Sequence, residues 1–77
     1  MIVLLFARAR DLIGADRIEV ADAPTVGALR RRLMQDFPRM AGLVAKSAFA
    51  IDDEFVEDKA PIPSNAEVAL LPPVSGG

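Results

Sequence analysis

A single stretch of helical periodicity interrupts a chain that is otherwise patterned for short β-strands. After Val26, apolar residues recur at offsets of three, seven and eleven positions, at Leu29, Leu33 and Phe37. These offsets place the four side chains on one stripe of an α-helix. Thr25 is the predicted N-cap, and Pro38 ends the pattern because proline cannot continue a helix. Met34 lies beside the stripe. The pattern therefore predicts one main helix, and the strands must pack against it.

The predicted strands lie on both sides of this helix. Residues 1–7 and residues 67–71 are the most apolar segments, so we expect them to lie beside each other in the middle of a sheet. Residues 17–20 alternate polar and apolar side chains, as a half-exposed edge strand does. Residues 48–51 and 54–56 flank an Asp-Asp turn and are predicted to form a short hairpin.

This order of elements predicts an α+β fold of the β-grasp (ubiquitin-like) type, in which one main helix crosses a mixed sheet. A ferredoxin-like fold would require a second helix, and residues 38–47 are too short and broken to form a good one. Residues 8–13 have room for one helical turn before Gly14. We expect a β-grasp domain over residues 1–71 and a flexible C-terminal tail over residues 72–77, ending in Gly-Gly.

The composition excludes several kinds of chemistry. The 77 residues contain no cysteine and no histidine, so a disulfide, a thiolate metal site and a self-contained Ser–His or Cys–His catalyst are excluded. The net charge of −2 offers no basic footprint for nucleic acid. The apolar N-terminal run is far too short to span a bilayer. We expect a cytoplasmic protein with no bound metal or cofactor, whose chemistry requires a partner.

Two runs of charge have simple structural interpretations. Arg30–Arg32 are predicted to cover a solvated helix face rather than an anion site, because neighbours on a helix are about 100° apart. Asp52–Glu54 are predicted to form a solvated turn rather than a Ca²⁺ or Mg²⁺ site, because three consecutive acids point in different directions. For Phe55 the pattern allows either an outward partner contact or a corner of the core, and Leu71 poses the same question.

The C-terminal tail has the shape of a slender arm. Pro72 and Pro73 stiffen its base, and Gly76 and Gly77 leave its tip thin enough for a narrow cleft. Six residues reach at most roughly 20 Å beyond the fold. Such an arm suits a protein whose own carboxylate is the reacting group; the alternative is an inert, frayed terminus.

Three segments of the chain resemble the small, sulfur-carrying subunit of molybdopterin synthase. Residues 5–14 resemble the opening strand and loop of that family, and residues 50–56 resemble its mid-chain hairpin. Residues 67–77 are the most specific match, because they end in Pro-Pro-Val-Ser-Gly-Gly. Asp52 is a departure, since the family often has Asn there, but a turn tolerates either residue.

The resemblance implies a sulfur carrier in molybdenum cofactor biosynthesis. In that family an E1-like adenylyltransferase uses ATP to adenylate the terminal glycine, and sulfur then replaces the adenylate to give a thiocarboxylate. The tail enters the large catalytic subunit of molybdopterin synthase, a heterotetramer, and delivers sulfur to cyclic pyranopterin monophosphate. The small subunit is not catalytic alone. A chain without cysteine can carry sulfur only on a group such as its own terminus.

The resemblance also implies the site residues. Gly77 is the position of the adenylate and the thiocarboxylate. The residues implied to bind the partner are Phe6, Phe55, Leu71, Pro72, Pro73, Val74, Ser75 and Gly76. Three alternatives remain: a sulfur carrier of a thiazole pathway, a ubiquitin-like protein modifier, and a β-grasp binding module with an inert terminus.

Overall fold

A five-stranded sheet with helices packed on one face is formed by residues 1–73, the part of the chain that the computed structural model describes. In chain order the elements are β1 (Ile2–Leu5), α1 (Ala7–Ile13), β2 (Arg17–Glu19), α2 (Val26–Asp36), a 3₁₀ turn (Pro38–Met40), α3 (Ala41–Lys46), β3 (Ala48–Ile51), β4 (Glu54–Val56) and β5 (Glu67–Leu71).

The strand order across the sheet is β2-β1-β5-β3-β4. β1 and β5 are parallel neighbours, whereas the β1–β2, β3–β4 and β3–β5 pairs are antiparallel. The predicted mixed sheet is therefore confirmed, and so is the predicted adjacency of the first and last strands. β5 is the central strand, because it pairs with β1 on one side and with β3 on the other.

Helix α2 begins and ends where the sequence pattern predicts. The Oγ1 atom of Thr25 accepts a hydrogen bond from the backbone N–H of Ala28 at 3.2 Å, which satisfies one of the free donors of the first turn. Val26, Leu29 and Leu33 are completely buried. α2 therefore contributes the centre of the core, together with the strand side chains that point toward it.

Two shorter helices form where the sequence predicted little regular structure. α1 has seven residues and ends at Gly14, whose φ of 82° is left-handed and whose N–H donates to the carbonyl of Arg10 at 2.8 Å. α3 has six residues and forms because Met40 and Val44 are buried beside α2. Both are shorter than α2, which has eleven residues and remains the main helix.

The prediction that Arg30–Arg32 form a solvated face is wrong for Arg30. Its side chain is only 19% exposed, and its guanidinium donates to the carbonyls of Val44 and Ser47, each at 2.7 Å. It also pairs with Asp58 at 2.8 Å and lies 4.9 Å from the centre of the Phe49 ring. The 100° step between helix neighbours turns Arg30 toward the C-terminal end of α3, where it binds the carbonyl of Ser47 and shares the carbonyl of Val44 with the backbone N–H of Ser47.

The other two arginines differ from Arg30. Arg32 donates to the carbonyls of Ala21 and Asp22, at 3.0 and 3.1 Å, and is half-buried. Arg31 is exposed, as predicted. Arg30 therefore connects α2 to the end of α3 and to Asp58, and Arg32 connects α2 to the segment before it, so the three arginines do not form one basic surface.

Candidate docking face and the root of the tail

Within residues 1–73 the helices pack against one face of the sheet, and the opposite face is largely apolar. Side chains alternate between the two faces along each strand, and those of Val3, Leu5, Val68 and Leu70 point into the core. The alternate positions therefore point away from the helices. We call this surface the open face; its apolar members are Ile2, Leu4, Phe6, Ala48, Ala50, Phe55, Ala69 and Leu71.

Strand register gives the open face a groove. Leu4 on β1 lies opposite Ala69 on β5. Ala69 lies opposite Ala50 on β3, which in turn lies opposite Phe55 on β4. Two small side chains on the central strands are thus flanked by two large ones. The result is a groove of about 320 Å³, lined by Leu4, Phe6, Ala50, Asp53, Phe55, Glu67, Ala69 and Leu71.

Two phenylalanines form exposed walls of this groove. Phe6 is 43% exposed and Phe55 is 75% exposed. Val56, the neighbour of Phe55, packs against the core, so Phe55 points outward and does not fill a corner of the core. The two rings belong to one apolar groove, and contiguous exposed apolar patches mark docking surfaces.

An unusual backbone conformation sets the position of Phe6. Phe6 is extended, with φ −129° and ψ 158°, and Ala7 follows at φ 51°, in the left-handed region. Residues other than glycine enter this region at a cost of roughly 1–2 kcal/mol. The turn lets the carbonyl of Phe6 accept the N–H of Ala9 at 3.1 Å and start α1 directly after β1. The side chain of Phe6 therefore stays on the open face.

The root of the tail lies beside Phe6. β5 ends at Leu71, which pairs with Ala48 and is half-buried on the open face. Pro72 is half-buried and Pro73 is exposed. Of the predicted site residues, the structure therefore brings Phe6, Phe55 and Leu71 together in one groove, and Pro72 and Pro73 follow directly after β5. Val74, Ser75, Gly76 and Gly77 lie outside the described residues, and their roles stay predictions.

Sequence reasoning missed the floor of the groove. Leu4, Ala50 and Ala69 were not predicted as site residues, yet they determine its depth. The sequence signal that could have indicated this floor is the small size of Ala50 and Ala69 among the larger residues of β3 and β5. The register that places the two alanines side by side is not visible in the sequence.

The Asp52–Glu54 turn is a tight hairpin. Asp52 and Asp53 have φ values of 52° and 66°, which matches a turn with two left-handed central residues. No group of three or more acidic side chains within residues 1–73 is arranged to hold a metal ion. None of the helices in this part of the chain is both long and apolar enough to cross a membrane.

Comparison with known proteins places this chain in a family. The family model described as the ThiS family matches residues 3–77. The chain belongs to the ThiS family. Among the curated relatives is the molybdopterin synthase sulfur carrier subunit of Escherichia coli K12, 41% identical over 97% of this chain and 96% of the relative. The subunit of the same name from Dictyostelium discoideum is 35% identical over 97% of this chain and 93% of the relative.

Solved structures show that the ThiS-family chain shares its fold with proteins of more than one kind. SAMP1 of Haloferax volcanii superposes with a TM-score of 0.75 at 24% identity, over 99% of this chain and 97% of that one. A chain of the complex between subunits 1 and 2 of the molybdopterin-converting factor of Helicobacter pylori 26695 superposes with a TM-score of 0.69 at 23% identity, over 99% and 96%. These matches confirm the β-grasp prediction.

Proposed function

We propose that this chain is the sulfur carrier subunit of a molybdopterin synthase. The observation that carries the proposal is the 41% identity to a subunit of that name across almost the whole of both chains. The terminal Gly-Gly, after Pro-Pro-Val-Ser, supplies the group that the chemistry needs. Membership of the ThiS family supports the same function.

The reacting group in this proposal is the carboxylate of Gly77. A carboxylate is a poor acyl donor, so an E1-like adenylyltransferase first activates it. One carboxylate oxygen attacks the α-phosphorus of ATP, pyrophosphate leaves, and an acyl adenylate forms. A hydrosulfide equivalent then attacks the acyl carbon, AMP leaves, and the terminus becomes a thiocarboxylate. ATP is bound by the activating enzyme, and this chain needs no cofactor of its own.

The folded part of the chain presents the tail and supplies the docking face. β5 is held on both sides by β1 and β3, so the point at which the tail leaves the fold is fixed. Phe6 and Leu71 stand beside that point. A tail of six residues, reaching roughly 20 Å at most, can then cross from this root into the active site of a docked partner.

The partner in this proposal is the large catalytic subunit, two copies of which form a heterotetramer with two carriers. Support comes from the fold that this chain shares with a chain of the Helicobacter pylori complex between subunits 1 and 2 of the molybdopterin-converting factor. Phe6, Phe55 and Leu71 would lose water on docking, and aromatic anchors in an interface contribute much of the binding energy. A cytoplasmic location belongs to the same proposal.

Catalysis belongs to the partners. In the described residues, Ser47 is buried and its hydroxyl donates to the carbonyl of Leu43 at 2.7 Å, so it is not available as a nucleophile. The chain has no histidine or cysteine to act as a base or thiolate. The carrier therefore provides the substrate terminus and its orientation, and the transfer to cyclic pyranopterin monophosphate takes place in the large subunit.

Intact mass spectrometry tests this proposal directly. The full chain is incubated with ATP, an activating enzyme and a sulfur source, and the mass increase of one oxygen replaced by sulfur is expected at Gly77. A chain lacking Gly77 is the matched control and should keep its fold but gain no sulfur. An unchanged mass for the full chain, under conditions in which a known carrier is converted, would refute the proposal.

A protein modifier is the second candidate, because SAMP1, a small archaeal modifier protein of Haloferax volcanii, shares the fold at a TM-score of 0.75. A modifier forms an amide between its terminal glycine and a lysine of another protein. Conjugates of higher mass in cell extract, absent when Gly77 is deleted, would favour this function.

A sulfur carrier of a thiazole pathway is distinguished from a molybdopterin synthase subunit by gel filtration of the chain with each candidate partner. Only the true partner should co-elute with it.

A further inference from the structure

Two carboxylates close one end of the groove on the open face. Glu67 is the first residue of β5, and Asp53 lies in the turn between β3 and β4. Phe6 and Leu71 line the other end, beside the tail root. Leu71 lies four strand positions after Glu67, a distance of about 13 Å. The groove is therefore acidic at the end far from the tail and apolar at the end near it.

Both carboxylates are free to bind a cation from outside. Asp53 and Glu67 are exposed, and the ion pairs formed among residues 1–73 involve other groups. The remaining described residues that line the groove are all uncharged. Two like charges at one end of an apolar groove produce a local negative potential that is strengthened when a partner excludes water.

We propose that Asp53 and Glu67 bind a lysine or arginine side chain of the large subunit and so fix the direction in which that subunit lies along the groove. This inference rests on the proposed function. The occupant is a segment that places an apolar side chain over Ala50 and Ala69, between Phe55 and Leu4, and a basic side chain at the acidic end.

The apolar part of the groove does not distinguish the two directions in which a partner segment could lie along it, so a further contact is needed to fix the direction. Leu4 and Phe55 face each other across the two alanines, so an apolar segment could lie along β5 in either direction. The tail leaves only from the Leu71 end, and its reach is about 20 Å at most. A partner docked in reverse would hold its active site away from the tail. Charge complementarity excludes that arrangement and speeds the correct encounter.

The test compares Glu67→Lys with Asp36→Lys in the full chain. Asp36 is an exposed acid at the end of α2, on the helical side of the molecule, so both changes alter the net charge equally. Binding to the purified large subunit from the same genome is measured by titration calorimetry and by association kinetics, at low and at physiological salt. Glu67→Lys should weaken binding about tenfold at low salt, mainly through slower association, and lose most of this effect at high salt. Asp36→Lys should stay within about twofold of the unaltered chain.

Two further variants separate the possible outcomes. The Asp53→Asn, Glu67→Gln double variant removes both charges while keeping the shapes and a residue that tolerates the left-handed turn. It should also weaken binding, and a Lys→Glu or Arg→Glu change in the large subunit should restore binding to Glu67→Lys. Undiminished binding of both variants overturns the inference. If Phe55→Ala weakens binding while these variants do not, the docking face stands and the orienting role of the acids is wrong. If the unaltered chain does not bind the large subunit at all, the proposed partner fails, and this inference fails with it.

Discussion

Phe49 and Phe55 offer a matched test of which face of the sheet serves the fold and which serves a partner. They lie on the neighbouring strands β3 and β4 and point to opposite faces. Phe49 is 0% exposed and Phe55 is 75% exposed. Replacing each by alanine removes the same atoms, so any difference between the two variants reports on the environment of the ring.

The expected effects on folding differ several-fold. Truncating a fully buried phenylalanine costs about 3–5 kcal/mol of unfolding free energy. A chain of 77 residues has roughly 4–12 kcal/mol in total, so Phe49→Ala should lose between about a quarter and all of the unfolding free energy. Only a quarter of Phe55 is shielded from water in the free chain. Because complete burial of the side chain is worth about 1.5–3 kcal/mol, Phe55→Ala should cost well under about 1 kcal/mol.

The expected effects on binding are reversed. If a partner covers the exposed three quarters of Phe55, burial of the ring contributes about 1–2 kcal/mol to binding. Phe55→Ala should therefore raise Kd about five- to thirtyfold. Urea unfolding followed by circular dichroism measures the first effect, and calorimetric titration of the large subunit measures the second. The reasoning is refuted if Phe55→Ala unfolds as readily as Phe49→Ala, or if it binds as tightly as the unaltered chain.

Other predictions concern the fold and the arm. Arg30→Lys keeps the charge but loses the planar fork that binds two carbonyls and Asp58, so the free energy of unfolding in urea should fall by about 1–3 kcal/mol. The control Arg31→Lys should change it by no more than about 0.5 kcal/mol, and equal losses in the two variants would contradict this prediction. Gly14→Ala should destabilise the fold by about 1–2 kcal/mol, because a Cβ would meet no other atom there but φ is 82°. Gly42→Ala lies in an equally open helical position and should stabilise the fold by about 0.5–1 kcal/mol. Thermal unfolding measures both effects, and a stabilising Gly14→Ala would count against the left-handed conformation of Gly14.

The sequence was sufficient for the elements whose burial pattern has a clear period. The stripe of α2 and its Thr25 cap were predictable because a three-to-four residue period and an N-cap are local properties of the chain. β5 was predicted with its correct bounds, because prolines follow it directly. The central position of β1 and β5 followed from their apolar character alone.

What depended on register or on distant contacts was not predictable. β4 has three residues, which is too short for a period to show which face Phe55 occupies. Arg30 was assigned to solvent because its carbonyl partners lie 14 and 17 residues further along the chain, at the end of α3, a segment in which the sequence shows no clear helical period. The alanine floor of the groove requires β1, β5, β3 and β4 to be aligned residue by residue.

The central position of β5 also determines how the molecule responds to mechanical load. A partner that binds the tail and then moves away applies force along the axis of β5, in the direction in which the strand runs. The hydrogen bonds to β1 and β3 lie across that axis, so the load is shared by both ladders at once and is not applied to one bond after another. An arm attached to either outer strand could be peeled away with its strand. In the proposed function, a tail attached to β5 can therefore leave the cleft of the large subunit repeatedly while the β-grasp fold stays intact.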